Sequence, residues 1–298
     1  VSRITRRGFI EKTIAGVSVL ATRSLWAETA RNPLATDRIS LGKTGLKVSR
    51  VAMGTGFRGW QKESNQTRLG QEGFNRLMLH GFENGLNFYD MADLYGSHTF
   101  MKPVLREMSR DKVVLLSKVW FAEAPNMEAT DRALPSFDRF RRELGTEMID
   151  IVLIHCVSDP SWPSQLARMR DELDLLKDRG DIRATGCSCH DFGALQVAAR
   201  DPWVDVIFAR INHNGAHMDH KDPNAVAAVL REARENGKAV VGMKIFGAGD
   251  LTEREQRTES LRYVWGNRLV DAMTIGFENQ QQVDDTMIHL NQVMSDVA

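Results

Sequence analysis

The residues with the clearest chemical promise are Asp90, Tyr95, Lys118 and His155. Three of them close short apolar runs: Asn87-Phe88-Tyr89 before Asp90, Val113 to Ser117 before Lys118, and Ile149 to Ile154 before His155; Tyr95 follows Asp90 after a few residues. A carboxylate, a phenol, an ammonium and an imidazole form a coherent acid–base set. An ammonium beside a phenol stabilises the phenolate, so Lys118 is expected to lower the Tyr95 pKa toward neutrality. Asp90 is the natural partner to orient Lys118, and His155 a natural donor to a substrate oxygen. The result is a tyrosine able to pass a proton to a developing alkoxide. Singly, each has a plainer reading. A lysine ending a strand can snorkel to water, a lone histidine is often structural, and Tyr95 could be a loop aromatic. Their joint placement on successive strand ends is what points to a site.

Such a set works only if the fold gathers those ends. Strand-like runs recur near residues 51, 88, 115, 152, 185, 207, 241 and 274, each followed by a helical pattern. Helical spacing marks Phe100 to Ser109, Glu128 to Leu144, Leu166 to Lys177, Ala194 to Arg200, Ala225 to Asn236, Glu259 to Trp265 and Gln281 to Met294. Ahead of them, Ile39-Ser40-Leu41, a turn at Gly42 to Gly45 and the run Leu46 to Met53 read as a hairpin. Eight βα units predict an α/β fold, a closed (β/α)8 TIM barrel with a short N-terminal β-hairpin and its working groups at the C-terminal strand ends. Gly54, Gly56 and Gly59 suggest a dinucleotide fingerprint, but Trp60 to Thr67 is polar and opens no helix, so the spacing is read as coincidence.

Composition sets outer bounds. With 39 basic and 39 acidic residues in 298 the formal net charge is zero, which argues against a general nucleic-acid binder, since that needs a basic excess. It argues equally against a polybasic membrane-surface protein, and no apolar run is long enough for a membrane anchor. Three cysteines are too few for a disulfide scaffold. Cys187 and Cys189, two apart, are expected to alternate sides of a strand, which disfavours a bridge or metal site.

The N-terminus reads Thr5-Arg6-Arg7-Gly8-Phe9-Ile10-Glu11-Lys12 and then a weakly apolar stretch to Thr22. This resembles a twin-arginine (Tat) signal peptide, with cleavage expected after Ala27. The implied organisation is a signal over 1–27 and a barrel over 38–298. It implies engagement of the Tat export machinery and a bacterial periplasmic or exported location. The alternative is a frayed basic helix on a cytoplasmic protein.

The stretch Asn87 to Gly96, with Leu116-Ser117-Lys118, Leu153-Ile154-His155, Lys43 to Ser49, Gly180 to Arg183 and Gly186-Cys187-Ser188, resembles the aldo/keto reductase superfamily. The likeness runs from about residue 38 to about 290. It implies a barrel that binds NAD or NADP across its mouth and transfers hydride between that cofactor and an aldehyde, a ketone or a sugar carbonyl or alcohol. The family's catalytic tetrad falls on Asp90, Tyr95, Lys118 and His155.

Several cofactor positions depart from the family. Ser188 is kept in the pair that holds the nicotinamide amide, but Cys189 replaces asparagine, and Arg210 stands where glutamine is usual. Gly54 and Thr55 end the first strand at the expected mouth. Lys244, Gly247 and Gly249 lie in the loop expected to hold the pyrophosphate. After the last strand, Gly276 is followed by Phe277 and Glu278 rather than by an arginine for a 2′-phosphate. Glu278 gives a mild lean to NAD(H), which Lys244 could reverse. Asp285 is expected near the adenine. Trp60 and Trp120, with Phe121, are candidate substrate walls, and His98 either lines the pocket or sits on a surface loop. His213, His217, His220 and Asp219 invite a metal reading, but their segment reads as a loop and no metal is assigned. Export implies a cofactor bound tightly enough to travel with the folded protein. A second class of function is a nucleotide-binding sensor or regulatory barrel without turnover.

Overall fold

The computed structural model describes residues 34–297 apart from Asn126; the expected twin-arginine signal lies outside the described residues. The hairpin pairs β1 (Ile39–Ser40) antiparallel with β2 (Lys47–Val48). Leu46 to Met53 is not one strand: Ser49 and Arg50 interrupt it, Ser49 Oγ donating to the Val51 carbonyl at 2.7 Å and Ser49 N to Asn87 Oδ1 at 2.7 Å. These side-chain bonds replace the ladder and turn the chain from the hairpin into the barrel.

The barrel closes from β3 (Val51–Gly54), β4 (Phe88–Asp90), β5 (Val114–Val119), β6 (Ile151–Val157), β7 (Ala184–Cys189), β8 (Val206–Arg210), β9 (Ala239–Met243) and β10 (Ala272–Ile275), with β10 returning to β3. All neighbours are parallel. Both faces of each strand are covered, which is why the sequence shows continuous apolar runs rather than alternation. Inside, Phe88, Leu116, Leu153, Phe208 and Val241 pack with small residues and with Leu41, Leu46 and Val48 of the hairpin. The hairpin thus closes the bottom of the cylinder. A Cβ at Gly42 would lie 2.5 Å from the Ala239 nitrogen at the start of β9, so this turn needs glycine.

Among the described residues, eight longer helices cover the outside: α1 (Gly70–Glu83), α2 (Ser97–Glu107), α3 (Leu134–Leu144), α4 (Ala167–Asp178), α5 (Phe192–Arg200), α6 (Pro223–Glu235), α7 (Arg254–Gly266) and α8 (Gln280–Val297). Two depart from expectation. α3 starts at Leu134, not Glu128, because Pro135 belongs in a first turn, where its missing N–H costs nothing. α1 carries three glycines that weaken its helical signal, yet it buries Phe74, Leu77, Met78 and Gly81 on one stripe. Gly81 rides directly on the Met53 side chain.

Candidate active site

Four adjacent barrel elements build the acid–base corner. Lys118, on β5, is 1% exposed. Its Nζ is ion-paired with Asp90 Oδ1 and donates to the Met91 carbonyl at 3.0 Å. Asp90 Oδ2 accepts from Thr274 Oγ1 of β10 at 2.8 Å, so the carboxylate is held from both sides. Tyr95 stands in the one-turn helix Asp93–Tyr95 just after β4. Lys118 Nζ lies 5.0 Å from the centre of its ring. The Tyr95 hydroxyl is 3.4 Å from His155 Nε2, and the two rings meet edge to face at 5.5 Å. β6 reaches this corner through a register shift between Ile154 and Val157, with Cys156 at φ +59°. The bulge re-aims the strand end that carries His155.

The electrostatics correct one expectation. Lys118 does not bring the phenol toward neutrality. Burial pushes Tyr95 well above its ordinary pKa, and Asp90 and Cys156 push the same way. The ammonium is already compensated by Asp90. Burial, with Lys118 and His190 nearby, holds His155 well below its usual value. The corner therefore presents a neutral phenol and a neutral imidazole, both able to donate one hydrogen bond. His155 Nδ1 is buried without a partner.

A groove of about 670 Å³ runs from this corner across the barrel mouth. Gly54, Asp90, Tyr95, Lys244, Gly249, Gly276, Glu278 and Asp285 all line it. Thr55, Ser188, Arg210 and Gly247, which the sequence places at the cofactor, lie outside that lining. Thr55 Oγ1 donates to the Asp90 carbonyl at 2.9 Å, and Ser188 Oγ accepts from Cys156 N at 2.8 Å. Arg210 Nη1 bonds Asp219 Oδ1 at 2.9 Å and Nη2 bonds His190 Nδ1. Gly247 is buried in the loop after β9.

Trp60 is 44% exposed and meets Trp120 edge to face at 5.7 Å; Trp120 meets His155 the same way at 5.8 Å, and Phe121 stacks behind it. These rings form a continuous wall leading from solvent to His155. His98 requires a correction. It belongs neither to a pocket lining nor to a surface loop: it is 3% exposed on α2, bonded to Ser117 Oγ at 2.8 Å and Glu143 Oε2 at 2.9 Å. It braces β5 behind the site. Cys187 and Cys189 also differ from expectation. Residues two apart on a strand share a face, and these buried thiols sit 3.7 Å apart. His213, His217 and His220 turn to different partners, Glu259, Asp250 and the Asp222 backbone.

Sequence reasoning passed over several contributors. Gly56 and Gly59 pack against the Tyr95 ring; they were visible as a glycine cluster whose spacing was set aside. Phe57 spans the groove, approaching the sites of Gly249 and Gly276. Arg254, Arg257 and His289 also line it. They belong to helices whose outward faces carry no special spacing.

Residues 50–295 match the aldo/keto reductase family. The NADH-specific methylglyoxal reductase of Escherichia coli is 26% identical over 267 residues, 84% of this chain and 78% of that protein. The versiconal hemiacetal acetate reductase of Aspergillus parasiticus is 28% identical over 205 residues, 58% of each chain. Among solved structures, an aldo-keto reductase structure from Pseudomonas aeruginosa superposes with TM-score 0.72 at 22% identity, covering 89% of this chain and 98% of that one. The holo form of an aldo-keto reductase from Bacillus halodurans gives 0.68 at 18% identity, covering 88% and 96%.

Proposed function

Because the chain belongs to the aldo/keto reductase family, we propose that it reduces a small aldehyde or ketone, with Tyr95 as the general acid. The observation that carries this reading is the Tyr95 hydroxyl 3.4 Å from His155 Nε2, its ring over Lys118, at the end of the long groove.

The groove fits a nicotinamide dinucleotide. Lys244 lines it, and among the described residues no carboxylate pairs with its ammonium. Burial and Arg210 lower its pKa, the response of a cation short of a counter-charge. A pyrophosphate meets that need, with the loop around Gly249 beside it. The bound cofactor supplies the hydride.

The protein's own residues do the rest. Trp60 and Trp120 receive the apolar part of the substrate. The His155 imidazole donates from Nε2 to the carbonyl oxygen and fixes its direction. Tyr95 donates its proton to that oxygen as charge develops there. Lys118 favours the phenolate left behind, and Asp90 holds Lys118 under the ring. A phenol kept protonated by burial suits the reductive direction, where a proton must be given.

The twin-arginine address belongs to the same proposal: a folded barrel exported with its dinucleotide already bound. Mass spectrometry of the mature protein checks this, the expected new N-terminus being Glu28. The main test supplies purified protein with NADH or NADPH and a panel of 2-oxoaldehydes, aromatic aldehydes and ketones. Carbonyl-dependent loss of reduced nicotinamide is expected, and Tyr95→Phe should abolish it. Tight dinucleotide binding with no turnover of any carbonyl would instead support a sensor barrel. The engagement of Arg210 by Asp219 and His190 favours that second reading.

A further inference from the structure

Resting on the reading of Tyr95 as the general acid, we propose that Arg139 and His98 are positioning residues, closing a circuit of hydrogen bonds behind the barrel wall that sets the Tyr95 phenol against the Lys118 ammonium. Among the described residues no hydrogen bond joins these two groups directly. Lys118 Nζ lies 5.0 Å from the centre of the Tyr95 ring. Their separation is therefore set by what holds each of them from behind.

The circuit runs bond by bond. Asp93 opens the one-turn helix that ends in Tyr95, and its side chain is 1% exposed. Oδ1 is ion-paired with Lys62, and Oδ2 accepts from Arg139 Nη2 at 2.7 Å. Arg139 Nη1 donates to Glu143 Oε1 at 3.1 Å, one turn further along α3. Glu143 Oε2 lies 2.9 Å from His98 Nδ1, and His98 Nε2 lies 2.8 Å from Ser117 Oγ. Ser117 precedes Lys118 on β5. Lys118 donates to the carbonyl of Met91, two residues before Asp93, and the circuit closes.

Chemistry gives each bond one direction. Burial works against a charged Glu143, but bonds and charge from His98 and Arg139 outweigh it and hold the carboxyl at about 2. An ionised Glu143 can only accept, so His98 Nδ1 carries a proton. Burial holds His98 below its ordinary value, so its ring is neutral and Nε2 accepts from the Ser117 hydroxyl. No residue of α3 lines the groove. An ion pair on a carboxylate as buried as Asp93 is a weak source of stability, because desolvation offsets the attraction. What α3 supplies is geometry: a fixed span from the turn that carries the phenol to the strand that carries the ammonium.

Arg139→Met opens the circuit while Asp93 keeps Lys62 and Glu143 keeps His98, so no buried acid is stranded. In the full-length protein kcat for carbonyl reduction should fall by about tenfold to about a hundredfold, the cost of a misplaced proton donor. KM for the carbonyl and Kd for the reduced dinucleotide should stay at their wild-type values. Arg139→Lys, which reaches one carboxylate but cannot fork to both, should restore part of the rate. His98→Leu opens the same circuit elsewhere, so the double variant Arg139→Met/His98→Leu should be no slower than the slower single variant, whereas independent packing roles would give additive losses. A second readout needs no substrate: fluorine NMR of protein labelled with meta-fluorotyrosine. The chain has three tyrosines, and Tyr95→Phe assigns the signal of interest. That signal should move in each variant, while those of Tyr89 and Tyr263 stay in place and show that the protein is folded. An unchanged kcat, an unmoved Tyr95 signal or additive losses in folded variants overturns the proposal. The two Arg139 variants decide it without His98→Leu, whose site is fully buried. A wild type that turns over no carbonyl overturns the reductase reading, and the Tyr95 signal still decides whether the circuit places the phenol.

Discussion

Gly56 lies flat against Tyr95: a Cβ added at Gly56 would stand 2.2 Å from Cε2 of the phenol ring. Gly59 makes the same approach from further along the loop, its added Cβ 2.5 Å from Cδ1. The loop that carries both glycines is fastened to the Tyr95 turn. Lys62 N donates to the Leu94 carbonyl at 2.9 Å, and Lys62 Nζ is ion-paired with buried Asp93. A Gly56→Ala change must therefore move the ring or the loop. Overpacking of this kind should cost about 1–3 kcal/mol in stability, read by denaturant melts. Because the ring it displaces carries the proposed proton donor, kcat should fall more steeply than stability does.

Tyr95→Phe removes the hydroxyl and leaves the ring in its slot. Loss of the proposed general acid should lower kcat by about 10²–10⁴-fold. Dinucleotide affinity, followed by fluorescence titration, should change little in the same protein.

Lys118 and Asp90 are a buried pair, 1% and 5% exposed. Removing one partner strands the other, so Lys118→Met should cost about 3–5 kcal/mol. The double change Lys118→Met/Asp90→Asn should recover part of that loss. Urea unfolding of the wild type, the Lys118→Met and Asp90→Asn single variants and the double variant gives the coupling directly.

The corner's pH response follows from its neutral groups. His155 and His98 are held below their ordinary values by burial, and His190 falls to about 3 through burial and the nearby Arg210, Lys244 and Lys118. The unfolded chain binds these protons at higher pH than the folded one does. Stability from this source is thus full above about pH 6.5 and drains away as the pH falls below it. Melting temperature should drop between about pH 7 and about pH 5, and His190→Asn should flatten the slope. With Tyr95 protonated well above its ordinary range, the rate of carbonyl reduction should stay level from about pH 7 to about pH 9.

The acid–base corner was legible because parallel strands advertise themselves as apolar runs, and a polar residue closing such a run has few places to go. Asp90, Lys118 and His155 were found that way. The environment of Tyr95 was not, because its acidity depends on whether Lys118 is already neutralised, which spacing does not report. His98 was misplaced for a related reason. Its neighbours Ser97 and Thr99 suggest a loop, while its true partners, Ser117 and Glu143, lie on other elements.

One consequence concerns traffic. Leu41 and Leu46 stopper the cylinder from below, so among the described residues the groove lies at the opposite end, on the mouth. On the proposed function, nucleotide and carbonyl compound share that opening, and whichever lies deeper departs last.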